Sequence, residues 1–581
     1  MTPGPRSSSH PPRRTGRSAR GPAPGPSARS HVYPGRRAYR RRRASALAAL
    51  LLVLALIVVL IVVVLAPSHA KPGRSVESIF QDDQYLIYSS PATVTRTLDR
   101  LHAVGVDRVR LTVLWSLVAP ASTSVRRPRH FDATDPAAYP ATGWAPYDRI
   151  VELAAARHIA VAFNVTAPGP LWAMVRPAPD EKAADHYRPS PAAFGAFVMA
   201  LGRRYSGTYK PSAGAGGRSR VPLPRVGYWT IWNEPNQPGW LQPQWRVVAG
   251  QRVLNSPRLY RLYVDAAFAA LTRTGHGPAT DTILIGELAP EGSEGDRDAD
   301  PVPPMPFVRA LYCVDASFKP LRGTLAGLLH CPQGGSPRAF VAAHPGLFAA
   351  TGFAHHPYSL SLAPSAPMSD PNFVPLSELS RLERGLDRIF ATYGSHRQLP
   401  LYLTEYGYET NPPDPFRGVS PARQAAYLDQ AQYMAWLDPR VRAFAQFLLY
   451  DSAPDPASPP GSAGYWSTFQ TGLVFLGGAP KPSLAAYRLP IFVPDPAPPS
   501  GSSMLVWGML RAAPNATRQR ATIQYRRAGG QFEQLATVTT RDPSGFLTAN
   551  VKAPGSGLIR LAWRPPHGAV MYSRSVTVTV R

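Results

Sequence analysis

Residues 226–236 read VGYWTIWNEPN. The run is β-branched and aromatic as far as Trp232, then closes on Asn233, Glu234 and Pro235, where the proline turns the chain out of the strand. A carboxylate at the end of a buried strand is costly unless a partner or a reaction uses it. A second run, PLYLTEYG at 400–407, ends in the same manner, with apolar residues leading to Thr404 and Glu405. Two glutamates placed alike decide how the rest of the chain is read.

Working outward, short β-type runs alternate with segments of helical period from about Val76 to Pro490. Strands are expected over 108–115, 159–165, 226–233, 282–288, 351–358, 400–407 and 444–451, with an opening strand within SIFQDDQYLIY. Helical stretches such as PATVTRTLDRLHAVG and LSELSRLERGLDRIFATYG separate them; Leu98, Leu101 and Val104 recur at helical spacing and Gly105 supplies a C-terminal cap. Eight strand and helix pairs in about 400 residues predict an α/β fold, a (β/α)8 barrel over 76–490. A doubly wound open sheet is the alternative, but no glycine-rich phosphate loop follows the first strand. In such a barrel the chemistry sits where strands end, so Glu234 and Glu405 become the candidate pair. One carboxyl to protonate a leaving oxygen and one to meet an oxocarbenium ion are what cleavage of a glycosidic bond needs.

The 581 residues include 66 prolines and carry a formal charge of +27, so more than one folded unit is expected. Met1–Arg43 holds twelve arginines and no lysine or acidic residue. The uncharged run ASALAALLLVLALIVVLIVVVLA follows at 44–66. At about 1.5 Å per residue this helix spans a bilayer of roughly 30 Å, and the arginines mark its cytoplasmic side. The expectation is a disordered tail at 1–43, a transmembrane helix at 44–66, a linker at 67–75 and an extracytoplasmic remainder. A signal peptide cleaved near Ala70 is the alternative, although its apolar core would be about 7–15 residues. No nucleic-acid partner is expected, because the tail faces the compartment opposite the barrel. Cys313 and Cys331 would meet an oxidising compartment and are expected to form a disulfide. A proline-rich linker at 491–503 leads to short alternating strands at 504–581, read as an immunoglobulin-like β-sandwich without catalytic residues.

WNEPN at 232–236 followed by LTEYG at 403–407 resembles glycoside hydrolase clan A, particularly its families five and thirty-nine, over roughly residues 76–490. The resemblance implies Glu234 as general acid/base and Glu405 as nucleophile of a retaining reaction on a β-linked oligo- or polysaccharide, with no metal or organic cofactor. It implies that Asn233 binds the sugar 2-hydroxyl, that Arg110 orients the nucleophile, and that Tyr358 hydrogen-bonds Glu405. His356 reads equally as a site residue or as a core histidine. Trp466, in the loop after the eighth strand, is the favoured sugar platform, ahead of Trp115 and Trp172. Two departures bear on specificity: Asn164 and Thr166 stand where family five has a histidine, and Tyr450 and Asp451 where many members have a strand-end tryptophan. The insertion from Pro290 to Gly352 is expected to rim the catalytic face. A competing reading from another class is an inactive carbohydrate-binding or cell-envelope protein on the same barrel. Oligomeric state is not legible.

Overall fold

The computed structural model describes residues 76–211, 221–293, 295–513, 517–566 and 568–581. The basic tail and the apolar run at 44–66 lie outside them. Among the described residues, no helix is long and apolar enough to cross a membrane.

Eight parallel strands close into a barrel: β1 (Glu77–Gln81), β2 (Arg108–Leu114), β3 (Ala160–Thr166), β4 (Tyr228–Ile231), β5 (Thr282–Leu288), β6 (Gly352–His355), β7 (Leu401–Leu403) and β8 (Val441–Phe447). They neighbour one another in chain order, and β8 returns to β1 with Glu77 opposite Ala443. The main crossover helices are α1 (Pro91–Ala103), α2 (Ala141–Ala155), α3 (Pro191–Arg204), α4 (Ser256–Arg273), α5 (Leu379–Thr392) and α6 (Pro421–Leu437). A Ser-Pro pair opens α1, α3 and α6: the serines at 90, 190 and 420 cap the first turn and the prolines take the N1 position, whose N–H would lack a partner anyway.

Side chains alternate in direction along β4. Trp229 and Ile231 point outward into the helical layer, where Trp229 meets Phe163 edge-on at 5.6 Å. Tyr228 points into the barrel with Leu284 and with Ala162, Ala354, Ala443 and Ala445, four alanines whose small side chains leave it room. Nearer the strand ends, Arg110, Asn164, Thr230 and Thr404 are buried and polar.

β8 ends four residues earlier than its expected limit of 451. The amide of Leu448 bonds to Gln81 O and its φ is +71°, while the Asp82 carboxylate accepts from the amides of Leu449 and Tyr450 at 3.0 and 3.2 Å, drawing the chain off the ladder. The insertion after β5 also differs from its expectation. Pro290 and Glu291 line the cleft, but the part carrying the Cys313–Cys331 disulfide packs on α4 and α5 through Arg261, Phe318 and Phe340.

Two antiparallel sheets follow the barrel. One holds β9 (Ile491–Phe492), β10 (Ser503–Met509) and β13 (Phe546–Lys552). The other holds β11 (Gln519–Arg527), β12 (Glu533–Thr540), β14 (Gly557–Trp563), β15 (Met571–Tyr572) and β16 (Val576–Val578). Val506, Ile523, Leu547, Ile559 and Leu561 form a core between the sheets. β9 lies inside the segment expected to be only a linker, because Ile491 and Phe492 pair with Gly508 and Trp507. Trp507 and Phe546 turn the other way, against Tyr433 and Trp436 of α6. At Gly105 (φ +81°) the two parts touch so closely that a Cβ would sit 2.4 Å from Arg511 O.

Candidate active site

An open cleft of about 700 Å³ lies over the C-terminal ends of the barrel strands and contains Asn233, Glu234, Tyr358 and Glu405. The backbone that delivers the first two is tightly held. Asn164 donates to Trp232 O and to Thr230 Oγ1 at 2.6 and 2.7 Å, and Thr166 Oγ1 accepts from the Asn233 amide at 3.0 Å. These two β3 residues, which stand where the resemblance expects a histidine, brace the end of β4. Trp232 and Glu234 both take left-handed φ, +68° and +35°, a conformation that costs on the order of 1–3 kcal/mol per residue unless the surroundings impose it.

Arg110 reaches the site from β2 with no solvent exposure. Its Nη1 donates to Glu405 Oε1 at 2.8 Å, and its Nη2 to Asn233 Oδ1 at 2.8 Å and Glu287 Oε2 at 2.9 Å; Gln81 Oε1 is a further acceptor. Although burial opposes its charge, the carboxylates of Glu287 and Glu405 sustain it. Tyr358 donates its hydroxyl to Glu405 Oε2 at 3.1 Å.

Adjacent histidines in the sequence have different fates. His355 is buried with Nε2 on Val374 O at 2.7 Å, and burial drives it down to about 4, so it is a neutral core histidine. His356 is equally buried but faces carboxylates: Nδ1 lies 2.9 Å from Glu234 Oε1 and 3.5 Å from Glu405 Oε2, and Nε2 lies 2.5 Å from Glu287 Oε2. Burial opposes its charge, yet Glu405, Glu234 and Glu287 together hold it up to about 10. These three carboxylates favour its imidazolium form.

Oxygens of Glu234 and Glu405 and a nitrogen of His356 all lie within 4.8 Å of one another. Metal centres can have this composition; here both His356 nitrogens are engaged by carboxylates, Nδ1 by Glu234 and Nε2 by Glu287. Burial raises the Glu405 carboxyl; His356 and Arg110 pull it back, and the nearby carboxylates of Glu234 and Glu287 push it up again.

Three features of the site escaped the sequence reading. Glu287 stands on β5, where strict alternation from Leu284 and Gly286 would turn it outward; a bulge between Gly286 and Leu288 inserts it as the extra residue, with φ +51°, and turns it in. Glycine before glutamate at a strand end was the available signal. Glu409 lines the cleft, and burial with the nearby Asp414 pushes its carboxyl up to about 8. The third feature is a set of aromatic residues in the cleft lining, Trp240, Phe416 and Phe469, the last two 55% and 51% exposed.

Trp466, the expected platform, is not among the residues lining the cleft and packs edge-on against Tyr465 at 5.0 Å. Trp115 is fully buried on Phe197, and Trp172 donates to Pro120 O outside the cleft. Tyr450 stacks on Tyr85 at 4.2 Å, and Asp451 pairs with Lys481 at 2.6 Å, so both serve packing.

No family model matches the chain, and no curated protein matches it. Among solved structures it is similar to a family 1 β-glucosidase from Thermotoga maritima, at 14% identity over 70% of this chain and 86% of that one, with a TM-score of 0.41. It is similar to an exo-β-1,4-mannosidase from an Opitutaceae bacterium, at 13% identity over 72% and 59% of the two chains, with a TM-score of 0.40. A β-glucuronidase from Parabacteroides merdae is similar at 10% identity over 87% and 48%, with a TM-score of 0.36. At this degree of similarity the likenesses say nothing of this chain's reaction.

Proposed function

We propose that the protein is a retaining glycoside hydrolase acting on a β-linked oligo- or polysaccharide outside the cell membrane, to which the run at 44–66 anchors it. The observation that carries the catalytic part is the approach of the Glu234 and Glu405 oxygens to within 4.8 Å at the ends of β4 and β7. That spacing is nearer to the about 5–5.5 Å between the carboxyls of a double displacement than to the about 6.5–9.5 Å of an inverting reaction. The anchor and the compartment rest on the uncharged run and the arginines before it.

Glu405 is the nucleophile of this reading. Arg110 and Tyr358 donate to its two oxygens, which favours its carboxylate form, and as the acid of this reading Glu234 brings the proton that the leaving oxygen takes. In the first step a Glu405 oxygen bonds to the anomeric carbon, the bond to the leaving oxygen breaks, and that oxygen takes the proton of Glu234. In the second step Glu234 takes a proton from water as the water oxygen attacks the anomeric carbon and releases Glu405. Asn233, fixed by Arg110, is positioned to bond the sugar 2-hydroxyl, and the aromatic residues of the cleft offer sugar rings apolar faces. Gln81, Asp83 and Thr112 add polar groups to the lining, and the mixture supports binding of a glycan.

The test is hydrolysis of a panel of aryl β-glycosides by wild type and by Glu405→Gln. Cleavage by the wild type alone supports the reading and names the sugar; silence in both, with retention on a glycan array, favours a binding protein.

A further inference from the structure

We propose that Glu287 is the fixed counter-ion of the site: it keeps His356 an imidazolium and aims Nδ1–H at Glu234, so that Glu234 faces a charged donor whenever it gives up its proton. The inference rests on the glycosidase reading and deepens it. Glu287 is fully buried and is absent from the cleft lining, which makes it a positioning residue acting through His356.

The geometry is specific. Glu287 Oε2 receives Arg110 Nη2 at 2.9 Å, His356 Nε2 at 2.5 Å and Thr404 Oγ1 at 2.9 Å. The bulge that turns Glu287 inward is pinned by Tyr260, whose hydroxyl accepts from the Gly286 amide at 2.7 Å and donates to Ile231 O at 2.9 Å. One tyrosine thus ties the bulge of β5 to the end of β4, just before Glu234. His356 hangs from the same bulge through its amide, which donates to Leu288 O at 2.9 Å.

Charge explains why a carboxylate belongs there. Arg110 and His356 contribute two positive charges, and Glu287 and Glu405 two negative ones. With the proton on Glu234 the cluster is neutral. When Glu405 becomes an ester and Glu234 has given its proton away, Glu234 replaces Glu405 as the second anion and the cluster is neutral again. Arg110 and His356 stay positive in both states, and Glu287 is the anion that stays negative in both. Without it a buried positive charge would stand uncompensated throughout the cycle, a costly arrangement.

Of the other titratable groups near this cluster, His355 is neutral, and burial holds Tyr228, Tyr260 and Tyr358 in their phenol forms. Asp83, whose carboxyl burial raises, acts on Arg110 and is held by Gln81 and the Thr112 amide, with no hydrogen bond to His356. Against the cost of burial, Arg110, His356 and Thr404 hold Glu287 down to about 2, so it stays ionised across the working range.

The experiment is a nitrogen NMR titration of labelled histidine in the full-length protein, with His356 assigned from the spectrum of His356→Gln, run beside pH–rate profiles of wild type and Glu287→Gln. In the wild type both ring nitrogens should remain protonated through pH 8 and titrate near 10. In Glu287→Gln the midpoint should fall by about one pH unit or more. The pH–rate profile for a glycoside with a poor leaving group should then break downward at that new midpoint, about tenfold one pH unit beyond it, in the variant and not in the wild type. The profile for an activated aryl glycoside, which needs little acid assistance, should show no break there, whatever its level. A neutral wild-type His356 at pH 8, or an unmoved midpoint in the variant, overturns the proposal. If Glu287→Gln does not fold, the wild-type titration alone decides. A charged His356 whose midpoint falls in the variant, in a protein that cleaves no glycoside, supports the counter-ion and overturns the glycosidase reading.

Discussion

Two buried arginines hold opposite ends of the barrel, and their surroundings differ. Arg511, where the second domain meets the barrel, donates to Tyr487 O at 2.7 Å, to Ser78 Oγ and to Gln432 Oε1, and its guanidinium lies 3.9 Å from the Tyr487 ring. Its hydrogen-bond acceptors are neutral, and they come from β1, α6 and the helix at Pro482–Arg488, so it works as a clamp between domains. Arg110 instead faces Glu287 and Glu405 beside a cleft, together with a charged histidine. Burial and hydrogen bonding are alike in the two places. What separates a site from a strut is that the partners of Arg110 are themselves ionisable and one of them opens onto the cleft.

The sharpest way to break this comparison is Glu405→Gln. Turnover should fall by roughly 10⁴-fold or more with little change in melting temperature, because the amide keeps the packing but cannot attack. In Glu405→Ala, azide should restore some turnover and give product of inverted configuration; no rescue would count against Glu405 as nucleophile.

Next in size is Glu234→Gln. A glycoside with a poor leaving group should slow about 10²–10⁴-fold, and an activated aryl glycoside far less. Equal slowing of both would remove its role as acid.

Arg511→Met tests the other side. It strands three acceptors, each at a cost of about 1–3 kcal/mol if left unpaired, so stability to denaturant should drop by a few such units while kcat/KM of the folded protein stays within about twofold. A loss of kcat/KM comparable with that of Glu234→Gln would erase the distinction between strut and site.

The smallest expected effect sharpens the cleft. Phe469→Ala should raise KM roughly 2–10-fold, the worth of one aromatic contact, whereas Trp466→Ala should leave KM unchanged. The reverse order would return the platform to Trp466.

The barrel was legible because its signals are local and repeated: eight apolar runs, separated by helical periods that often open on Ser-Pro. Glu234 and Glu405 were legible for the same reason, since a lone carboxylate closing an apolar run stands out. Glu287 was not, because its direction depends on a bulge that reverses the alternation of β5, and alternation is the only rule a sequence offers there. The eighth strand was drawn three residues late at its start and four at its end. Arg442 interrupts the apolar pattern near its true beginning, and Leu448, Leu449 and Tyr450 extend that pattern past its end. Phe416 and Phe469 sit on loops without a period, so nothing in the chain marked them above the more conspicuous Trp466.

The most direct test of the two-carboxylate account is the configuration of the product as it first forms, followed by proton NMR while the wild-type protein hydrolyses whichever aryl β-glycoside it accepts. The account predicts that the β-anomer appears first and the α-anomer grows in only by mutarotation. First appearance of the α-anomer would mean direct attack by water, and Glu405 would not be a nucleophile.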